Sequence, residues 1–328
     1  MAEPTKLRLE RAPSLPRFGR RIIALLAWLA ALFLVGAARA DDIVIVLSGD
    51  AAPYAQAEGG FKTKFAEENS SIRTILLSEV TDKGIEESLG KSPRAVVAIG
   101  TPAAIYLHKN LPQPIPLIYC MVANPARVGL TEGRPAVGVT IDVPYAPQFS
   151  LIAQADPKVR TLGMLYRSSE TDAREQVKLV EEALPNGWKL EAVAVEDYGS
   201  VAEAIDALTS RHIDVVWTNL ESGIYETATV RTLLLDGLRE NLPVFGFSPA
   251  FVRAGALVGI GVDPVAQGQQ AAVLAMRLLR NPADESIPRS EAPEQFQIAV
   301  NLIVADKLGV QLPSDLIDRA TYVFKDNN

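Results

Sequence analysis

Short apolar runs alternate with longer segments of helical periodicity along the chain from residue 43 onward. Continuous runs of β-branched and other apolar residues are typical of strands that are buried on both faces of a parallel sheet. The first series of predicted elements has strands at 43–47, 72–77, 95–99, 115–119 and 137–141, with helices at 59–69, 82–89 and 102–109. The second series has strands at 161–166, 190–195, 213–218, 244–247 and 256–262, with helices at 146–155, 170–184, 201–210, 224–241, 251–253 and 264–280. This order predicts an α/β fold with two doubly wound parallel-sheet lobes.

One predicted strand runs directly into a helix in the segment VVAIGTPAA, residues 96–104. Gly100 suits a tight exit from the strand, Thr101 is predicted as the N-cap, and Pro102 is predicted as the first helical residue. The segment HIDVVWTNLESGI, residues 212–224, has the same order of buried strand, polar turn and helix. Ligands of open α/β sheets bind outside the carboxyl ends of the strands. We therefore expect these two turns to face each other across a cleft.

The first 40 residues have the three parts of a secretory signal peptide. Basic residues up to Arg21 precede an uncharged apolar run at 22–38, and the sequence up to Ala40 ends in an A-x-A motif. We expect export by the Sec route, cleavage after Ala40 and a mature chain that begins at Asp41. The alternative is an uncleaved membrane anchor, for which the apolar run is short.

Without this leader the chain is strongly acidic. The formal net charge is −7 for the whole chain, and it becomes −12 because the first 40 residues hold seven Lys or Arg and two Asp or Glu. Since no Lys/Arg cluster remains, this balance argues against nucleic acid or an anionic membrane as a partner. Cys120 is the single cysteine, so an internal disulfide is excluded, and its apolar neighbours predict that it is buried. These features fit the periplasm of a Gram-negative cell.

The residue types needed for catalysis are sparse. The two histidines, His108 and His212, fall on separate predicted elements, so neither metal binding nor a cofactor is expected. The segment GFSPA around Ser248 resembles a nucleophile elbow, but that elbow needs a histidine later in the chain, and both histidines come earlier. We therefore interpret Ser248 as a helix cap or a hydroxyl that faces a cleft. The sequence predicts that the chain is not an enzyme.

Five segments in a fixed order carry a resemblance that covers roughly residues 41–325. They are VVAIGTPAA, PIPLIYCMVANPARVGL (114–130), VGVTIDVPYAPQFSLIAQADPKVRTLGMLYRSSE (137–170), ENLPVFGFSPAFVRAGALVGIGVDPVAQGQQAAVLAMRLL (240–279) and AVNLIVADKLGVQLPSDLIDRA (299–320). The chain resembles the ABC transporter substrate-binding proteins of the type I periplasmic binding-protein fold, and most closely the subfamily with tryptophan- and tyrosine-binding members. The resemblance implies two lobes joined by a three-crossover hinge. One lobe would comprise residues 41–142 and 264–292, and the other residues 143–263 and 293–328.

The resemblance also implies a ligand shell that is drawn from the ends of strands in both lobes. The first lobe would contribute Ser48, Gly49, Asp50, Gly100, Thr101, Pro102, Val122, Ala123 and Asn124. The second lobe would contribute Arg167, Ser168, Asn219, Glu221, Ser222 and Ser248. Each of these residues also has a structural interpretation as a cap or turn residue.

Two positions depart from the members that bind aromatic amino acids. Those members commonly have Asp-Pro where this chain has Asn124-Pro125, and Asp-Asn-Thr where it has Leu220-Glu221-Ser222. A free α-amine in a closed cleft needs a carboxylate partner, and Glu221 is the candidate replacement. The aromatic residues that lie near predicted strand ends favour an aromatic or flat apolar ligand, and their alternative place is the core. They are Tyr54, Tyr119, Trp217, Tyr225 and Phe247.

The resemblance implies a monomeric periplasmic receptor that closes around a small molecule, of aromatic or amino-acid-like character, and delivers it to an ABC permease. The alternative is a ligand-sensing periplasmic receptor that feeds a signalling partner. Genes for a permease and an ATPase beside this one would favour transport.

Overall fold

A computed structural model describes residues 43–68, 70–90, 93–170, 172–221, 223–282, 284 and 286–325. The predicted signal peptide and its cleavage site after Ala40 lie outside the described residues. Within these ranges, no helix has the length and apolar character needed to cross a membrane.

The first lobe is built on a five-stranded parallel sheet with the strand order β2-β1-β3-β4-β5. Its strands are β1 (Ile43–Leu47), β2 (Ile72–Leu76), β3 (Ala95–Ile99), β4 (Leu117–Val122) and β5 (Ala136–Thr140). The helices between them are α1 (Ala52–Phe65), α2 (Leu77–Lys83), α3 (Ile85–Leu89) and α4 (Thr101–Asn110). Strands β1 and β3 are buried along their whole length, which explains their uninterrupted apolar sequences IVIVL and AVVAI.

The second lobe is built on a seven-stranded sheet with the order β12-β11-β10-β9-β8-β6-β7. Its strands are β6 (Thr161–Tyr166), β7 (Lys189–Ala194), β8 (Val215–Trp217), β9 (Val244–Gly246), β10 (Val258–Val262), β11 (Phe296–Asn301) and β12 (Tyr322–Phe324). The later helices are α5 (Tyr145–Ala155), α6 (Ala173–Ala183), α7 (Val201–Thr209), α8 (Thr227–Arg239), α9 (Pro249–Ala254), α10 (Pro264–Arg280), α11 (Leu302–Leu308) and α12 (Ser314–Arg319). Helices cover both faces of each sheet, so each lobe has two apolar layers. The predicted α/β fold with two parallel-sheet lobes is confirmed.

The end of the second sheet departs from a purely parallel arrangement. Strand β11 pairs antiparallel with β10, so that Phe296 lies opposite Val262, and β12 is parallel to β11. The chain leaves this sheet after Val262 and re-enters it at Phe296, which lies directly opposite Val262 at the same end of the strands. A strand that re-enters where its neighbour left must run in the opposite direction.

Helix α10 packs against α1 of the first lobe through two glycines. A Cβ atom on Gly268 would lie 1.8 Å from the carbonyl oxygen of Ala57, and one on Gly60 would lie 2.1 Å from that of Val265. These contacts leave no room for a side chain. The backbones of the two helices therefore approach closely, and both helices pack on an apolar cluster that includes Phe61 and Ala271.

Three segments cross between the lobes. The first, residues 141–144, joins β5 to α5, and the second is Asp263, between β10 and α10. Asp263 caps α10 by accepting a hydrogen bond from Val265 N at 2.9 Å. The third crossing follows Glu291, whose carbonyl oxygen accepts a hydrogen bond from Thr140 N at 3.0 Å, and it leads into β11. The three connections run side by side and form the predicted three-crossover hinge.

Several element boundaries differ from the sequence-based prediction. The helix expected at 59–69 begins seven residues earlier, at Ala52. The helix expected at 82–89 is interrupted at Gly84, where φ is +85°, so that α2 and α3 are separate helices. The elements from β11 to β12 were not assigned from periodicity.

Candidate functional site

A cavity of about 380 Å³ lies where the loops at the carboxyl ends of the strands of both lobes meet the first crossing segment. This volume falls within the range of small-molecule sites. The cavity is lined by Asn124, Arg127, Asp142, Val143, Pro144, Tyr145, Gln148, Asp172, Glu175, Gln176, Leu179, Trp217, Asn219, Leu220, Phe247 and Ile260.

Arg127, in the loop after β4, joins the first lobe to the second. Its Nη1 donates to both carboxylate oxygens of Glu221, at 3.0 and 3.2 Å. Its Nε donates to Asp172 Oδ2 at 3.2 Å, and its Nη2 lies 3.0 Å from Asp172 Oδ1 as an ion pair without hydrogen-bond alignment. The side chain of Glu221 is 1% exposed and that of Arg127 is 20% exposed. The structure therefore holds a largely buried ion pair across the cleft.

Burial and charge act against each other in this cluster. Burial lowers the pKa of Arg127, but the neighbouring Asp172 and Glu221 outweigh this effect and raise it above its usual value. Burial raises the pKa of Glu221, although the attraction of Arg127 works in the opposite direction. Arg127 is therefore charged throughout the physiological range, and Glu221 depends on it to remain ionised in a buried place.

Asp142, in the first crossing segment, is a half-buried carboxylate whose hydrogen-bond donors are neutral. Its Oδ2 accepts hydrogen bonds from Asn124 N, at 2.7 Å, and from the hydroxyl of Thr140. Burial raises the pKa of Asp142, while these two donors and the nearby charge of Arg127 lower it in part. Among the described residues, no Lys or Arg forms a salt bridge with this carboxylate.

Asn219 follows β8 and is a buried amide in the cavity wall. It is 6% exposed, and neither its Oδ1 nor its Nδ2 has a hydrogen-bond partner in the part of the chain that the structure describes. Buried polar groups are almost always paired, because leaving one unpaired costs about 1–3 kcal/mol. A ligand or water in the adjacent cavity is the natural partner for this amide.

Part of the cavity wall is aromatic. The rings of Tyr145 and Trp217 pack edge to face, with centroids 5.8 Å apart. Trp217 is fixed by a hydrogen bond from its Nε1 to Gln148 Oε1 at 2.9 Å. Phe247, which follows β9, also lines the cavity. The site therefore combines charged and amide groups with a flat apolar wall.

The predicted turn at Gly100 is built differently from expectation. Gly100 has φ +96° and a Cβ atom there would lie 2.5 Å from Ser48 Oγ, so glycine is required. Thr101 is the first helical residue of α4 and Pro102 is the second, so the predicted roles of Thr101 as the N-cap and of Pro102 as the first helical residue are both wrong. The hydroxyl of Ser48, after β1, accepts the hydrogen bond from Ala103 N at 3.0 Å instead. Gly100 is the non-helical residue before α4, and the free Ala103 amide in the first turn points to Ser48 at the end of the neighbouring strand β1. The Thr101 hydroxyl accepts a 3.4 Å hydrogen bond from Ala123 N.

The other predicted site residues divide into two groups. Asn124 and Asn219 line the cavity, and Glu221 pairs with Arg127 beside it. Glu221, in the turn after β8, contacts Arg127 in the loop after β4. The predicted turn at Gly100 follows β3, which is the neighbour of β4 in the sheet. The remaining residues do not line this cavity. Ser48, Gly49, Asp50, Gly100, Thr101, Pro102, Val122 and Ala123 lie at first-lobe strand ends; Arg167 and Ser168 bind Glu196; Ser248 caps α9; Ser222 lies outside the described residues.

Sequence reasoning missed the charged residues Arg127, Asp142 and Asp172. Asp142 enters the sequence-based prediction only as the boundary between the two expected lobes, and Asp172 lies just before α6. Arg127 was a detectable signal, because it is the single charged residue in the otherwise uncharged segment PIPLIYCMVANPARVGL.

Comparisons with known proteins agree with this architecture. A family model described as ABC transporter substrate binding protein matches residues 76–324. The chain belongs to that family. It is 25% identical over 239 residues to a tyrosine-binding protein of Clostridioides difficile (strain R20291), a match that spans 71% of this chain and 67% of the relative.

Two solved structures support the same fold. The ligand-free, open structure of a substrate binding protein with adhesive properties from Clostridium difficile has a TM-score of 0.67 and 20% identity, over 87% of this chain and 99% of that chain. The structure of an ABC domain in complex with L-Trp from Streptococcus pneumonia has a TM-score of 0.60 and 21% identity, over 86% of this chain and 100% of that chain. The chain thus has the type I periplasmic binding-protein fold and is a binding protein rather than an enzyme. Proteins of its family bind small molecules outside the cytoplasmic membrane and work with ABC permeases.

Proposed function

We propose that this chain is a periplasmic receptor that closes around one small molecule between its lobes and delivers it to an ABC permease. The observation that carries the proposal is the unpartnered Asn219 amide in the wall of a ligand-sized cavity. That cavity receives residues from both lobes and from the first crossing segment. A molecule bound there would contact every part that moves when the hinge bends.

The proposed ligand is aromatic or amino-acid-like. The aromatic wall formed by Tyr145, Trp217 and Phe247 supports a flat ligand. Relatives with the same fold are described as tyrosine-binding and as a complex with L-Trp, which favours the same class here.

The proposed moving bodies are residues 41–142 with 264–292, and residues 143–263 with 293–328. Two contacts support this division. Helix α10 packs on α1 of the first lobe, and β11 pairs with β10 of the second lobe. Rotation about the three parallel crossings would open the cavity without disturbing either sheet.

A thermal-shift screen of amino acids, aromatic acids, amines and purines tests the receptor proposal. A ligand at one hundred times its Kd stabilises the folded state by about 2.7 kcal/mol and raises Tm by a few degrees. The shift should shrink in Asn219→Ala and persist in Asn110→Ala, a control at an exposed amide on α4. Equal shifts in wild type and Asn219→Ala would place the ligand elsewhere, and conversion of the hit to product would identify an enzyme.

We also propose export by the Sec route, with cleavage after Ala40, and a monomeric mature protein. The three-part leader in the sequence supports export and cleavage. N-terminal sequencing of the periplasmic fraction should give Asp41 as the first residue. An intact leader in a membrane pellet that resists salt and alkali would contradict it.

A further inference from the structure

Two buried glutamines hold the two ends of the first crossing segment. Gln267 lies on α10, which packs on the first lobe, and Gln148 lies on α5, which packs in the second lobe. They are 1% and 7% exposed. Gln267 Nε2 donates to Thr140 O at 3.0 Å, and Gln148 Nε2 donates to Val143 O at 2.7 Å. Each glutamine therefore holds one end of this crossing to its own lobe.

The first crossing is tied to the first lobe as far as Asp142. Ile141 N donates to the last carbonyl of β4 at 2.9 Å, and the Asp142 carboxylate accepts from Asn124 N at 2.7 Å. On the other side, the ring of Pro144 fixes its φ, at −53°, and restricts Val143 to extended backbone. The rotation that opens the cleft is therefore concentrated between Asp142 and Val143.

A third glutamine on α10 holds the third crossing. Gln270 Nε2 donates to Ala292 O at 2.9 Å, and its Oε1 accepts from Glu294 N at 3.2 Å. The next residue, Gln295, is tied to the second lobe, because its carbonyl oxygen accepts from Asp263 N, directly after β10, at 3.4 Å. The pivot of the third crossing therefore lies between Glu294 and Gln295.

Of the three glutamines, Gln148 lines the ligand cavity. Its Oε1 accepts the hydrogen bond from Trp217 Nε1 at 2.9 Å, and Trp217 and Val143 line the same cavity. A carboxamide is planar, so its acceptor and its donor move together. A shift of the Trp217 ring therefore moves the donor that holds Val143 O, or else leaves a buried polar group unpaired, which is unfavourable. The cavity wall and the pivot are thus joined through one side chain.

We infer that Gln148 is a positioning residue for lobe closure: it transmits a ligand-induced shift of Trp217 to Val143, at the pivot of the first crossing. Gln267 and Gln270 supply the fixed side of the hinge, because they hold the crossings to α10. This inference rests on the proposed receptor function and adds the residue that sets how far the lobes close. It applies to any ligand that contacts Trp217.

Spin labels on the two lobes measure the opening of the cleft in the mature chain. Ala52→Cys and Asp197→Cys lie at exposed positions that follow β1 and β7. The native Cys120 is buried, and burial raises the pKa of its thiol to about 12, so it does not react with the label. Double electron–electron resonance then gives the distribution of distances between the lobes.

Variants of Gln148 test the hinge without a ligand. Gln148→Met removes both hydrogen bonds, and Gln148→Glu keeps an acceptor for Trp217 but loses the donor to Val143 O. Both should widen the distance distribution about twofold, because Val143 then also absorbs the rotation. Gln311→Met, at an exposed position between α11 and α12, is the matched control and should give the wild-type distribution. Thermal melts show whether each variant folds.

Bound probes separate binding from closure. L-Tyrosine and L-tryptophan are used first, followed by the hits of the thermal-shift screen. With saturating probe, wild type should give a single short distance. Gln148→Met and Trp217→Phe should keep a long-distance population, although calorimetry still detects one-to-one binding. A residue that only stabilised the fold would lower Tm and leave the closed distance unchanged.

The outcomes distinguish two failures. A wild-type ligand-free distribution in both folded Gln148 variants, or full closure of probe-bound Gln148→Met, would overturn the inference and leave the receptor function standing. Binding of no probe and no hit by wild type would overturn the receptor function, whereas the ligand-free distributions would still decide whether Gln148 holds the pivot.

Discussion

Replacing Arg127 by Gln should release the two lobes from each other in the ligand-free protein. The Arg127–Glu221 pair has an Nη1–Oε1 distance of 3.0 Å, and the Glu221 side chain is 1% exposed. At this distance the Coulomb attraction is about 5 kcal/mol for an effective dielectric constant of about 20. Loss of one partner of a buried pair typically costs about 3–5 kcal/mol, because the other charge stays buried and unpaired.

Opening of the cleft reduces the free-energy cost of leaving Glu221 unpaired. Glu221 regains water when the cleft opens, so opening relieves the penalty without unfolding either sheet. We therefore expect Arg127→Gln to shift the ligand-free protein toward the open state, with a larger radius of gyration in small-angle X-ray scattering. Chemical denaturation should show a loss of stability smaller than the full cost of the broken pair.

A double-mutant cycle isolates the pair. Glu221→Gln combined with Arg127→Gln removes both charges. The double variant loses the attraction between the lobes and also the penalty of an unpaired buried carboxylate, so its radius of gyration should lie between those of wild type and Arg127→Gln. Arg239→Gln is the matched control: its partner Asp236 is also 3.0 Å away, but Arg239 is 73% exposed, so a loss below about 1 kcal/mol is expected. If Arg127→Gln has no larger effect than Arg239→Gln, or if the double variant is as compact as wild type, the pair does not hold the lobes together.

Three further predictions concern the scaffold and the hinge. Gly60→Ala should destabilise the protein by about 1–3 kcal/mol or more in urea denaturation, because its Cβ would meet a backbone oxygen at 2.1 Å, whereas Gly59→Ala has open space and should be neutral or stabilising. Ser48→Ala should cost about 1 kcal/mol by loss of the α4 cap, and a smaller loss than for Thr101→Ala would contradict the assigned cap. Burial raises the pKa of Asp142, so the folded state binds this proton more readily than the unfolded state. The free energy of unfolding therefore falls as pH rises from the unfolded pKa to the raised folded pKa. Asp142→Asn should therefore raise Tm at pH 7, and the gain should vanish below about pH 3.9, where both states are protonated; a pH-independent difference would refute this reasoning.

The regular elements were predictable where burial alone determines them. The sequences of β1 and β3 are apolar at every position because helices cover both sheet faces, and the structure places them at 43–47 and 95–99 as predicted. Strand β11 has a half-buried sequence, FQIAVN, with a partly polar pattern. Its register depends on a neighbour that lies 34 or more residues away in the chain, across two crossings. Local periodicity carries no information about such a pairing.

The same distinction applies to the site. Asn124 and Asn219 were within reach of sequence reasoning because each follows a buried strand, where ligands of α/β sheets bind. The pairing of Arg127 with Glu221 joins residues 94 positions apart, so it depends on how the two lobes are placed. The cap of α4 was misassigned for a related reason, since Ser48 reaches Ala103 from 55 positions away. Tertiary contacts decide these roles.

The most direct test of ligand binding in the cleft is native mass spectrometry after incubation with a metabolite extract. Wild type and the double variant Asp142→Asn/Asn219→Ala would be treated identically, exchanged into volatile buffer and measured side by side. We expect wild type to gain a single small mass increment at one-to-one stoichiometry, and the folded double variant to lack it. The same increment on the double variant, or none on wild type, would contradict binding between the lobes.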